Sequence, residues 1–154
     1  MICVVQRVAA ARVVVDGVVV GEIDRGLCVL AAIVTADTDD DLRWTLDKLL
    51  TLRVFPAAAD SEGKPFDRDV GQVEGKLVLI SNFTVAAHCR RGRRPSFSPA
   101  MPPQQAAVLF ERFVAFARRA FPGGIATGRF GADMHVTIEN DGPATFVLDS
   151  TSGE

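Results

Sequence analysis

Three features of the sequence predict an α+β fold, with antiparallel β-sheets covered by two main helices. The first third is a series of short β-branched runs, two later stretches carry apolar residues at helical spacing, and the tail returns to strand-like alternation. The runs are residues 3–8, 12–15, 18–23 and 27–34, and Asp16-Gly17 between the second and third is a two-residue hairpin signal. An antiparallel meander is expected from them. In the first run Ile2, Val4, Gln6 and Val8 share one face while Cys3, Val5 and Arg7 share the other, so Arg7 ends an apolar face.

Thr38-Asp39-Asp40-Asp41 reads as a helix start, with a capping hydroxyl and acids at the positive end of the dipole. Leu42, Leu46, Leu49 and Leu50 follow on one stripe. Residues 53–56 return as a strand end, and residues 57–69 have the Gly, Pro and charge content of a surface loop. Residues 76–84 form the next strand, and Leu77-Val78-Leu79-Ile80, apolar on both faces, marks it as central and covered. A second helix is expected from Pro102-Pro103, with Ala106, Leu109, Phe110, Phe113 and Ala117 on one side and Pro122-Gly123-Gly124 ending it. Residues 134–139 and 144–148 are two tail strands joined by Asn140-Asp141-Gly142-Pro143.

With 154 residues, 48% of them hydrophobic, the chain is expected to fold as one domain over residues 1–154. Its longest apolar run, residues 27–34, is too short to cross a bilayer, and the first residues lack a signal-peptide pattern. A soluble, cytoplasmic protein without membrane contact is the expectation. Cys3, Cys28 and Cys89 form no CxxC pair and suggest neither a disulfide framework nor a zinc site. A net charge of −2 means that any nucleic-acid role must rest on a local patch.

The patterns of the common hydrolases are missing. There is no GxSxG, HExxH or P-loop, and the two histidines read as a loop residue, His88, and a solvent-facing strand residue, His135. What remains are two polar interruptions at strand ends, Ser81-Asn82-Phe83-Thr84 and Asn140-Asp141-Gly142-Pro143-Ala144-Thr145, and the run Arg90-Arg91-Gly92-Arg93-Arg94. Singly they read as a strand exit, a turn and a solvated loop.

Together with Val4-Val5-Gln6-Arg7-Val8, Val15-Asp16-Gly17, Gly21-Glu22-Ile23, Arg93-Arg94-Pro95-Ser96-Phe97-Ser98 and Thr127-Gly128-Arg129-Phe130-Gly131-Ala132-Asp133-Met134, these segments resemble the D-aminoacyl-tRNA deacylase family over nearly the whole chain. Two departures stand out. Asn82 and Val85 occupy a motif that is usually Ser-Gln-Phe-Thr-Leu, and Ala144 occupies one that is usually Gly-Pro-Val-Thr. Asn82 keeps the amide but shortens its reach by one methylene.

The resemblance implies hydrolysis of the ester between a D-amino acid, or glycine, and the 3′ end of tRNA, as chiral proofreading in translation. It implies a homodimer with active sites at the interface, each combining Ser81, Asn82, Phe83 and Thr84 of one subunit with a cis Gly142-Pro143 pair of the other. In that arrangement the Gly-Pro carbonyls accept from the substrate α-ammonium, Arg7 holds the pair, and Met134 belongs to the substrate pocket. The backbone amides of Phe83 and Thr84 are candidate oxyanion donors, with the ribose 2′-hydroxyl assisting rather than Thr84 acting as nucleophile. Arg90, Arg91, Arg93 and Arg94 are candidate contacts to the tRNA backbone. No metal or organic cofactor is implied. The rival functions are a sister deacylase acting on a small mischarged L-amino acid and a non-catalytic tRNA-binding module.

Overall fold

The computed structural model describes residues 1–58 and 63–151. Of the surface loop expected over 57–69, residues 59–62 lie outside the described residues.

Strand β1 (Ile2–Val15) is a single 14-residue strand rather than the two runs read from the sequence. It turns at Asp16 and Gly17, with φ of 50° and 76°, the left-handed pair that a two-residue hairpin requires. The chain returns as β2 (Val18–Ile23) and β3 (Gly26–Ala32). Ala11 pairs with Ile23 and Val8 with Gly26, so the register is the same on both sides of Asp24-Arg25. The expected meander is therefore a long hairpin whose return strand is interrupted once. The other edge of β1 is covered by β6 (His135–Asp149), antiparallel along nearly its whole length.

Helix α1 (Asp39–Thr51) connects β3 to β4 (Lys76–Ser81), and α2 (Pro103–Ala120) connects β4 to β5 (Ile125–Thr127). Both connections return to the sheet in the same direction, so β3–β4 and β4–β5 are parallel. The six strands among the described residues thus form one mixed sheet with two helices, the expected α+β class, in which β3–β4 and β4–β5 are parallel where antiparallel pairing was expected. The apolar run Leu77-Val78-Leu79-Ile80 is the sequence trace of this: β4 is flanked by parallel neighbours and covered on both faces.

Alternation along the strands splits the interior in two. Cys3 and Val5 of β1, Leu27, Val29 and Ala31 of β3, and Leu77 and Leu79 of β4 face the helices. Val8, Ala11 and Val13 of β1 join Cys28, Val78 and Ile80 on the other side, under Met134, Val136 and Ile138. Leu42 and Leu49 of α1 are fully buried, each contributing about 1.5–3 kcal/mol relative to exposure. That burial offsets the weak intrinsic stability of a 13-residue helix. The Asp41 carboxylate closes the expected start of α1, accepting from the Thr38 N–H and hydroxyl, each at 2.8 Å.

Residues 135–149 are not two strands joined by a reversing turn. Both halves run antiparallel to β1, but Gln6 pairs with Thr145 whereas Val8 pairs with Asn140. Only Arg7 lies between the paired β1 residues, while residues 141–144 lie between their partners. Those four residues form an outward excursion directly opposite Arg7.

Candidate active site

The C-terminal ends of parallel strands β3 and β4 open into a cavity of about 820 Å³. This is where open sheets with parallel strands place their ligands, because the chain leaves adjacent strands there and exposes backbone and side-chain polar groups. Leu30, Ile80, Met134 and Val136 form the sheet side, and Met101, Ala106 and Phe110 close it beneath α2. Ser81, Asn82, Phe83 and Thr84 line it together, and so does Met134. Among the described residues, Asp133 is the one ionisable residue in this lining.

Ser81 ends β4, and the Asn82 N–H still bonds the Ala31 carbonyl at 2.8 Å before the chain turns into the short 3-10 helix Phe83–Ala86. The Asn82 side chain folds back over that turn. Its Oδ1 accepts from the Thr84 N–H at 3.2 Å and from the Thr84 hydroxyl at 2.5 Å. One of the two amides expected to face an oxyanion is thus already engaged, which leaves the Phe83 N–H as the amide candidate. The Thr84 hydroxyl donates to a neutral amide oxygen, which cannot take its proton.

Phe83 and Phe97 meet edge to face with centroids 5.0 Å apart, and both remain well exposed at the cavity rim. Phe130 lines the cavity and packs 6.1 Å from Phe110. Phe97 and Phe130 lie inside segments that carried the family resemblance, but no sequence signal assigned them to the cavity. Aromatic type alone does not separate a rim residue from a core residue.

The arginine run forms a loop pinched at its base by His88 and Ser96, whose backbones exchange bonds of 2.8 and 3.0 Å. Arg90, Arg91, Arg93 and Arg94 are all exposed. Because Phe97 follows the pinch by one residue, the four guanidinium groups stand close in sequence to the mouth of the cavity. Cys89 of this loop is exposed, whereas burial pushes the Cys3 and Cys28 thiols up to about 12 and leaves them unreactive. Among the described residues no group of three or more His, Cys, Asp or Glu side chains could hold a metal ion, and no helix is long and apolar enough to cross a membrane.

Arg7, Gly142 and Pro143 do not line this cavity. The Gly142–Pro143 peptide bond is cis, and both residues are exposed on the excursion from β6. Arg7 is buried beside them at 8% exposure. Its Nε donates to the Asp141 carbonyl at 3.0 Å and lies 3.3 Å from the Asp141 carboxylate, while its Nη1 donates to the Val54 carbonyl at 2.8 Å. Asn140 ties the base of the excursion, donating from Nδ2 to the Arg7 and Ala144 carbonyls at 2.9 and 3.0 Å. Gly142 has φ 129°, and a Cβ there would come within 2.6 Å of Arg7 Nη2. A side chain at 142 is strained by the backbone conformation and would push the Arg7 guanidinium out of its place.

Comparison with known proteins identifies the family. A family model described as D-Tyr-tRNA(Tyr) deacylase matches residues 4–149. A D-aminoacyl-tRNA deacylase of Pseudomonas aeruginosa is 51% identical over 97% of this chain and 100% of its own length. One of Picosynechococcus is 44% identical over 95% and 94%. A solved structure described as a c-Myc DNA unwinding element binding protein superposes with a TM-score of 0.91 at 38% identity, covering 99% of this chain and 100% of the other. A probable eukaryotic D-amino acid tRNA deacylase shares the fold at a TM-score of 0.79 and 19% identity, over 96% and 98% of the two chains. The chain belongs to the D-aminoacyl-tRNA deacylase family.

Proposed function

We propose that this protein hydrolyses the ester between a D-amino acid, or glycine, and the 3′ end of tRNA, and so acts in chiral proofreading during translation. The observation that carries this is the cavity lined by Ser81, Asn82, Phe83 and Thr84, in a chain about half identical to proteins named D-aminoacyl-tRNA deacylase. An aminoacyl ester is already activated, so a placed water and fixed donors supply much of the catalysis. The Phe83 N–H is the donor for the developing oxyanion. The Thr84 N–H can join it only when the Asn82 carboxamide swings aside. The ribose 2′-hydroxyl assists the attack, and the exposed arginine loop holds the tRNA backbone. The cytoplasm, where charged tRNA is used, is the compartment that fits this substrate.

The active unit in this proposal is a homodimer. Gly142 and Pro143 stand outside the cavity of their own chain, on an exposed excursion that a second copy could receive. There the main-chain carbonyls of the pair would accept from the α-ammonium, and an L-side chain would be driven into backbone while glycine passes. Lost hydrogen bonds and steric overlap of this kind discriminate by several powers of ten, more than apolar fit alone. The test is ester loss from D-tyrosyl-, glycyl-, L-tyrosyl- and L-alanyl-tRNA at equal enzyme concentration. Hydrolysis of the first two alone is expected. Efficient cleavage of the L-alanyl ester indicates the sister activity, and tRNA binding without ester loss indicates a non-catalytic module.

A further inference from the structure

Phe66 is a large apolar side chain left 53% exposed, yet its ring has two specific neighbours. The guanidinium carbon of Arg7 lies 5.8 Å from the ring centroid, and the Phe146 ring meets it edge-on at 6.0 Å and 80°. Phe146 sits in β6 just past the excursion. Residues 67 and 68 are tied to Phe55, whose carbonyl accepts from the Asp67 and Arg68 N–H groups at 2.8 and 3.0 Å, while the Phe55 N–H donates to the Arg68 carbonyl at 3.0 Å. Val54, whose carbonyl accepts from Arg7 Nη1, and Phe66 therefore come from the two arms of one bridge and grip the same guanidinium.

We propose that Phe66 is a positioning residue acting through Arg7: its ring holds the guanidinium against the Asp141 carbonyl and so sets the aim of Gly142 and Pro143. This rests on the reading above in which that pair discriminates the substrate. The ring attracts the cation through its quadrupole and keeps water from one side of donors that water would otherwise contest. Arg7 retains its bonds to Val54 and Asp141 when the ring is removed, so the expected effect is partial.

The experiment compares wild type with Phe66→Ala, Phe66→Leu, Phe66→Tyr, Arg7→Ala and Pro143→Ala. It reads kcat and KM on D-tyrosyl- and L-tyrosyl-tRNA, with Tm for each protein. Phe66→Ala should lower the D-to-L ratio of kcat/KM about fivefold, equivalent to about 1 kcal/mol, with KM for tRNA unchanged. Phe66→Tyr should restore the ratio, and Phe66→Leu, which keeps bulk without the quadrupole, should fall between. Solvent exchange of the Arg7 Nε–H should quicken in Phe66→Ala. A ratio within twofold of wild type in both Phe66→Ala and Phe66→Leu, with a collapsed ratio in Arg7→Ala, overturns the proposal. So does a lower Tm without any change in ratio, which is packing alone. If Arg7→Ala and Pro143→Ala both keep the full ratio, the underlying reading fails, and this proposal falls with it.

Discussion

Replacing Thr84 by alanine separates two mechanisms that differ by orders of magnitude. Thr84 is exposed on the cavity wall, so the substitution leaves no buried void. What it removes is the hydroxyl that donates to Asn82 Oδ1 at 2.5 Å. An amide oxygen is no base, the cavity lining contains no histidine, lysine or cysteine, and the proton is directed at Asn82 rather than at the carboxylate of Asp133. If Thr84 only braces Asn82, the loss is that of one hydrogen bond, about 0.5–1.5 kcal/mol. At 1.36 kcal/mol per tenfold this is roughly two- to thirteenfold in rate. A covalent nucleophile would instead take on the order of 10⁴ or more with it. The assay is single-turnover hydrolysis of D-tyrosyl-tRNA with enzyme in excess, alongside the same substrate ending in 2′-deoxyadenosine, which should react poorly. A loss beyond about 10³ in Thr84→Ala with unchanged Tm, together with an acyl-enzyme trapped in wild type, would refute the reasoning.

Two further outcomes follow from charge. Changing Arg91 and Arg93 to alanine should weaken binding to different tRNAs alike and flatten the plot of log K against log salt by about 0.7–0.9 per lost contact, as measured by filter binding. An unchanged slope excludes the loop from the phosphate backbone. Burial opposes ionisation of Asp41, but the Thr38 backbone and hydroxyl bonds, together with the Ser150 side chain and the N-terminal charge, outweigh it and hold the carboxyl below its ordinary 3.8. A depressed folded-state value contributes stability above the unfolded value that is lost as pH falls through the folded one. Asp41→Ala should therefore cost about 1 kcal/mol at neutral pH, and thermal melts of the two proteins should converge only below about pH 3.8. A gap that does not begin to shrink as pH falls below about 3.8 would exclude the carboxylate as its source.

Local chemistry was enough to read much of this protein from its sequence. The Asp16-Gly17 turn needs two left-handed residues, Thr38 with Asp41 caps a helix, and the stripe of Ala106, Phe110, Phe113 and Ala117 has to find an apolar face. Each depends on residues within a turn or two of one another, so each is visible in order along the chain. The segments that line the cavity were legible too, as motifs, though not as a cavity. Which strands run parallel was decided by where the two helical connections return to the sheet. Periodicity within a strand does not encode that, and only the two-sided apolar run of β4 hinted at it. Tertiary structure also turned the expected joint between two tail strands at residues 140–143 into an excursion from one strand, because both flanking segments find the same partner strand and the unequal spacing across Arg7 must bulge outward. Asn82, on the cavity wall, reaches back to Thr84 because its side chain is short enough to close a local ring. Arg7 has no local partner at all. Its acceptors, at Val54 and Asp141, lie 47 and 134 residues away, and only the tertiary fold brings the segment after α1 and the excursion from β6 to one guanidinium.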